Sequence, residues 1–167
     1  FPLPIILAII SNQLRVGKFR KIFQVTTYLP HFISTMVMCG MIILFLSPTS
    51  GLLANVFKSV GITIPDFLSK PSSFAGVYVW SDVWQHIGWD SIIYLAALSA
   101  IDPTYYEAAT MDGASRLQKI RHIELPLLLP TAMILLILRA GSLLSVGFEK
   151  VLLLQNPLNL AGSEIIS

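Results

Sequence analysis

Long uncharged runs alternate with short charged islands along the chain. Four apolar stretches stand out, roughly residues 1–14, 22–46, 75–100 and 130–154. The second carries no formal charge when His31 is neutral, and the fourth is interrupted only by Arg139 and by Glu149-Lys150. A helix needs about 20 apolar residues to cross a bilayer, whereas core helices of soluble domains average about 11–12. The pattern therefore predicts an all-α, polytopic transmembrane helical bundle, a fragment with about four membrane segments. Run length argues against the competing reading, a soluble all-α protein with buried helices. Pro30 is expected to bend the second stretch or to mark where its membrane portion begins. The opening FPLPIILAII has no basic n-region, so it does not read as a signal peptide. It is expected to be the tail end of a helix, and the chain a fragment of a larger membrane subunit.

Charge orients this arrangement. Only 12% of the 167 residues are charged, about half the usual share, and the formal net charge of +2 is too small to suggest nucleic acid as a partner. Lys and Arg in short loops favour the cytoplasmic side. Arg15, Lys18, Arg20 and Lys21 form one island without an acid, and Arg116, Lys119 and Arg121 form part of a second. The loop 48–74 holds only Lys58 and Lys70 with Asp66. The two basic islands are thus expected inside and the loop 48–74 outside, and the parity of four spans agrees. Within that loop the apolar content predicts a short interfacial helix over about 52–60. Cys39 is the one cysteine, which excludes an internal disulfide and a cysteine-built zinc site. It reads as a small apolar residue packed in a helix.

The second island has clear helix punctuation. Asp102 is suited to an N-cap and Pro103 to the first helical position. That helix is expected to run to Gly113, a natural stop. Ser115 and Gln118 have capping-box spacing and start a second helix, expected to end before Pro126. Ala108 and Ala109 would let another surface approach closely, and Glu107 and Asp112 frame them with negative charge. Chemistry alone leaves two readings open. The insert is a docking knob for a soluble partner, or it is a loop folded back on its own subunit.

One sequence frame carries a resemblance. Glu107-Ala108-Ala109 is followed by three residues and Gly113, then by nine residues and Ile123, then by one residue and Leu125-Pro126. This spacing resembles the EAA signature of binding-protein-dependent ABC transporter permeases, and the likeness covers nearly the whole chain. The segments RKIFQVTTYLPHFIS, SDVWQHIGWDSIIYLAALSAIDP and LILRAGSLLSVGFEKVLLLQNP resemble permeases for complex oligosaccharides of the aldouronate and polygalacturonate-fragment type. The resemblance implies a type I ABC importer permease core in the bacterial inner membrane. It implies that residues 102–126 are a cytoplasmic coupling segment seated in a cleft of an ATP-binding subunit. The coupling residues would be Glu107, Ala108, Ala109, Asp112, Gly113, Ile123, Leu125 and Pro126. The partners implied are that ATP-binding subunit, a second permease subunit, an extracytoplasmic solute-binding protein, membrane lipid and an oligosaccharide. The family's last helices are expected to follow Ser167.

The third stretch carries a polar stripe of Asp82, Gln85, His86, Trp89 and Asp90, spaced by threes and fours so as to share one helix face. Ionisable groups in a membrane helix face a water-filled cavity or a partner. The stripe reads as a substrate pathway or as glue between helices. In related sugar permeases this stretch lines the translocation path. Arg139, Ser145 and Phe148 are candidates for the same path, Ser145 and Phe148 because the segment resembles a path-lining one. Counting places both Arg139 and Asp90 near mid-membrane, so they are expected to pair, unless Arg139 reaches Glu149 across a break near Gly141 and Gly147 or faces lipid headgroups at a tilted helix end. There is no phosphate loop, nucleophile elbow or HExxH, and His31, His86 and His122 lie far apart in sequence. No catalytic residue, metal site or cofactor is expected, and ATP hydrolysis is assigned to a separate subunit. The rival function is a secondary transporter or channel independent of an ATPase. A structural scaffold would have no use for charges inside the bilayer.

Overall fold

The computed structural model describes residues 1–14, 17–47, 51–59, 71–141 and 148–155. Among them every regular element is helical: α1 (Pro2–Gln13), α2 (Lys18–Tyr28), a 3-10 turn (Leu29–Phe32), α3 (Thr35–Leu46), α4 (Leu52–Ser59), α5 (Pro71–Ser99), α6 (Pro103–Met111), α7 (Arg116–Lys119), a π turn (Ile120–Glu124), α8 (Leu125–Gly141) and α9 (Phe148–Leu154). The chain divides into two compact units, to both of which α5 contributes.

The first unit is built on α1, α2, the second half of α5, and α6 to α8. Its core is Ala8 from α1, Tyr94 and Leu98 from α5, and Leu128 and Ala132 from α8. Small residues at Ala8 and Ala132 leave room for the larger side chains facing them. Gly88 makes a second close approach possible, because a Cβ there would run into the Thr27 carbonyl at the end of α2. The second unit is built on α3, α4, the first half of α5, and α9. It packs Cys39 against Phe74, Val151 and Leu154, so Cys39 is the buried small residue its composition suggested.

One described helix, the continuous run Arg116–Gly141, is long and apolar enough to cross a membrane. The pair Lys18–Phe32 and Thr35–Leu46 passes the same test together, as one broken span, and Pro2–Gln13 is a shorter apolar helix. At 29 residues α5 has ample length, roughly 44 Å at the α-helical rise. Its mid-helix polar side chains, Asp82, Gln85, His86, Asp90 and Ser91, are what dilute its apolar character. The second stretch passes through a 3-10 turn at Pro30 and breaks just after it, at residues 33–34, where α3 restarts with Ser34 as N-cap, its side chain accepting from the Val37 N–H at 3.4 Å.

Two expectations change. The helix that starts at Ser115 does not end before Pro126, and the fourth stretch does not begin near Pro130. One helix runs from Arg116 through the π turn into α8, with Pro126 and Pro130 inside it. Each ring removes a backbone donor from the ladder. The π turn changes the acceptor register immediately before Pro126, where an unbroken α ladder would fail. The short helix expected in the 48–74 loop is α4, Leu52–Ser59. Residues 48–50 and 60–70 of that loop lie outside the described residues.

Candidate functional site

The insert between α5 and α8 is set by local chemistry. The Asp102 side chain accepts from the Thr104 N–H at 2.9 Å, and this bond holds its carboxyl below the ordinary aspartate range. Pro103 supplies the first helical residue. At the other end of α6 the chain turns through Gly113 at φ +73°. The Gly113 N–H donates to the Thr110 carbonyl at 3.0 Å and the Ala114 N–H to the Ala109 carbonyl at 2.8 Å. This is a Schellman end, and the last Ala of the EAA triplet accepts its outer bond. Two residues later the capping box closes. Ser115 Oγ accepts from the Gln118 N–H, and Gln118 Oε1 accepts from the Ser115 N–H at 2.7 Å. Lys119 Nζ then donates to Thr110 Oγ1 at 2.7 Å and ties the second arm to α6.

The two arms enclose an open concavity of about 330 Å³, and Ala109, Asp112, Gly113 and Ile123 all line it. Four of the eight residues expected to couple are therefore brought together. Glu107 and Ala108 are exposed on α6, and Leu125 and Pro126 are exposed at the start of α8. Met111 and Leu117 were not singled out in the sequence frame, yet they are 88% and 73% exposed. Large apolar side chains at the tips of a polar insert mark a surface that wants a partner.

Behind this surface lies a residue that pattern reasoning missed. Glu124 closes the π turn and is fully buried. Its Oε1 accepts from Gln13 Nε2 at 2.8 Å, Asn12 Nδ2 at 3.2 Å and the Tyr106 hydroxyl at 3.4 Å. Burial, with the Glu124 carboxylate beside it, pushes the Tyr106 phenol up to about 12, so it remains a proton donor at any physiological pH. Glu124 occupies the unspecified position between Ile123 and Leu125, so the sequence frame gave no reason to choose it.

The polar stripe on α5 divides. Arg139 of α8 donates from Nη2 to Asp90 Oδ2, the ion pair expected from counting. Beside it the His31 ring stacks on Trp89 at 4.5 Å and 5° and meets His86 edge-on at 5.5 Å. One face of Trp89 is therefore covered by an imidazole. His31 was not among the expected path residues, and its position in the 3-10 turn is what brings it there. Gln85 is buried and donates to the Ile33 carbonyl at 2.8 Å. It satisfies the backbone at the helix break. Asp82 accepts from Lys150 Nζ at 3.4 Å, and that ammonium is 5.2 Å from the centre of the Tyr78 ring. Lys150 is 5% exposed, an interior cation that its sequence neighbourhood did not reveal. Ser145 lies outside the described residues, and Phe148 is described only as the first residue of α9.

Residues 2–157 match the family described as binding-protein-dependent transport system inner membrane component. The chain belongs to this family. It is accordingly part of an inner membrane component of a binding-protein-dependent transport system. It is 40% identical over 165 residues to the polygalacturonan/rhamnogalacturonan transport system permease protein YteP of Bacillus subtilis (strain 168), covering 99% of this chain and 51% of that protein. It is 38% identical to Protein LplB of the same strain, over 99% of this chain and 52% of that protein. Among solved structures it is similar to a bacterial ABC transporter involved in the import of the acidic polysaccharide alginate. There the TM-score is 0.95 and the identity 41%, over 99% of this chain and 58% of that one. The chain spans about half the length of the curated relatives it matches.

Proposed function

We propose that this chain forms part of the translocation path of an ABC importer for oligosaccharides and couples that path to a separate ATP-binding subunit. Residues 102–126 are the cytoplasmic coupling segment, and 48–74 is the external loop. ATP binds and is hydrolysed on the other subunit, a second permease completes the pore, and an extracytoplasmic solute-binding protein delivers the sugar.

The insert geometry carries this reading. A capped helix presents Glu107 and Ala108, turns through Gly113 and returns through a capping box, leaving Met111 and Leu117 exposed. A carrier or channel without an ATPase has no use for such a surface. The relatives named for polygalacturonan and alginate transport favour a sugar chain as cargo. Arg139, exposed over 55% of its side chain beside Asp90, with Trp89 and His86 nearby, gives a path of mixed charge and aromatic surface. Such a lining suits polyhydroxylated chains that carry carboxylates.

In this reading Asp90, Arg139, His86 and Trp89 are the path residues of the first unit, while Gln85 and Asp82 hold structure around the helix break and Lys150. The test is co-purification of the full-length protein with an ATP-binding subunit, followed by reconstituted uptake over neutral and acidic oligosaccharides. Stimulated ATP hydrolysis with uptake of at least one oligosaccharide is expected. Uptake driven by an ion gradient without any ATPase would reject the assignment.

A further inference from the structure

We infer that Glu124 is a positioning residue for transport, the latch through which movement of the coupling insert reaches the membrane helices. This rests on the importer reading above. Three separate segments meet at one carboxylate oxygen. Asn12 and Gln13 come from the last turn of α1, Tyr106 comes from α6, and Glu124 itself sits where the π turn passes into α8. Tyr106 directly precedes the EAA triplet on the same short helix, so a push on Glu107 or Ala108 moves the turn that carries the Tyr106 ring.

The contact is built to report small movements. Glu124 is fully buried, and among the described residues its second oxygen, Oε2, has no hydrogen-bond partner. A network satisfied at one oxygen and unsatisfied at the other is not at its only acceptable geometry, and a small displacement can re-aim it. The backbone beneath it has the same property. A π turn holds one residue more than an α turn and is frequent at functional sites. Shifting that extra residue along the helix would rotate Glu124 by about 100°, given 3.6 residues per turn. Such a rotation would withdraw the carboxylate from Asn12, Gln13 and Tyr106 together. Insert, α1 and α8 would then move as one body while the latch is closed and separately once it opens.

The experiment uses the full-length protein assembled with its ATP-binding subunit, second permease and loaded binding protein in proteoliposomes. Two quantities are read: oligosaccharide moved per ATP hydrolysed, and the ratio of stimulated to basal ATPase. Glu124→Ala and Tyr106→Phe are expected to lower both by about five-fold or more, the lower range of measured coupling between sites. Glu124→Gln keeps an oxygen acceptor at Oε1 and is expected to stay within about two-fold of the parent. Leu128→Ala removes a buried core side chain of the same helix; it is expected to lower the thermal midpoint and leave both ratios in place. Ratios unchanged in Glu124→Ala and Tyr106→Phe would overturn the latch. So would equal losses in Leu128→Ala, which would show a structural role alone. If Glu124→Ala does not assemble, Tyr106→Phe decides the matter, since it deletes a single hydroxyl. A complex that moves no oligosaccharide but shows the expected ATPase pattern would refute the cargo and keep the latch.

Discussion

Gly113 offers a graded test of the coupling segment. Its φ of +73° lies in the left-handed region, and a Cβ added there would have no neighbour within 4 Å. Substitution is therefore penalised by backbone conformation alone, without a packing clash to confuse the result. A non-glycine residue in this conformation costs roughly 1–2 kcal/mol, while Asn tolerates it better than most. A β-branched side chain sits at the upper end or beyond. The two Schellman bonds, from Gly113 and Ala114 to the Thr110 and Ala109 carbonyls, depend on this turn. Losing one weakens the end of α6 by a further ~1 kcal/mol. Gly113→Asn should then behave nearly as the parent, Gly113→Ala should lose about 1 kcal/mol of the docked geometry, and Gly113→Val about 2–3 kcal/mol. At 1.4 kcal/mol per tenfold these are losses of about five-fold and about 30- to 150-fold in docked population. The assay is ATPase stimulation by the loaded binding protein, normalised to the amount of protein in the membrane. The series Gly, Asn, Ala, Val should fall in that order. Full stimulation in Gly113→Val, or Asn below Ala, would refute the argument from left-handed geometry.

Other expectations are simpler. Arg139→Asp and Asp90→Arg should each abolish uptake, since an unpaired charge within a membrane helix costs at least about 2.5–3.5 kcal/mol, and the double swap should recover part of it; purely additive losses would reject the pair. A cysteine at Ser72 should react with an impermeant thiol reagent added outside, and one at Ser115 should not; the reverse labelling would invert the topology. Gly88→Val should reduce the amount of folded protein in the membrane, because the Thr27 carbonyl is backbone and cannot rotate away; normal yield and thermal midpoint would contradict the close approach of α2 and α5.

Local chemistry was the legible part of this chain. Asp102, Pro103, Gly113, Ser115 and Gln118 announce helix ends because caps are satisfied within a few residues, and all five act where their types suggest. The Arg139–Asp90 pair was legible for a different reason, since two opposite charges were counted to similar depths from one insert. Prolines misled the reading at Pro126 and Pro130, because a π turn carries no composition of its own that would announce a helix continuing through them. Glu124, His31 and Lys150 were missed because their roles come from distant partners. The first is held by Asn12 and Gln13, the second stacks on Trp89, and the third meets Asp82 and Tyr78. Nothing within a short window distinguishes a buried glutamate with such partners from one at the surface.

The π turn also makes the gap between Gly113 and Ile123 a matter of geometry as well as of length. Of the nine residues between Gly113 and Ile123, three belong to a turn that is one residue wider than its neighbours. A chimaera that kept Glu107-Ala108-Ala109, Leu125-Pro126 and the nine-residue gap, but whose residues closed Ile120–Glu124 in ordinary α geometry, would lose the wide turn. It would spell the same fixed letters. Everything after that turn would be rotated by about 100° and pushed on by about 1.5 Å against the insert. Grafting this segment between transporters is therefore a question of phase. The donor's wide turn has to travel with its letters.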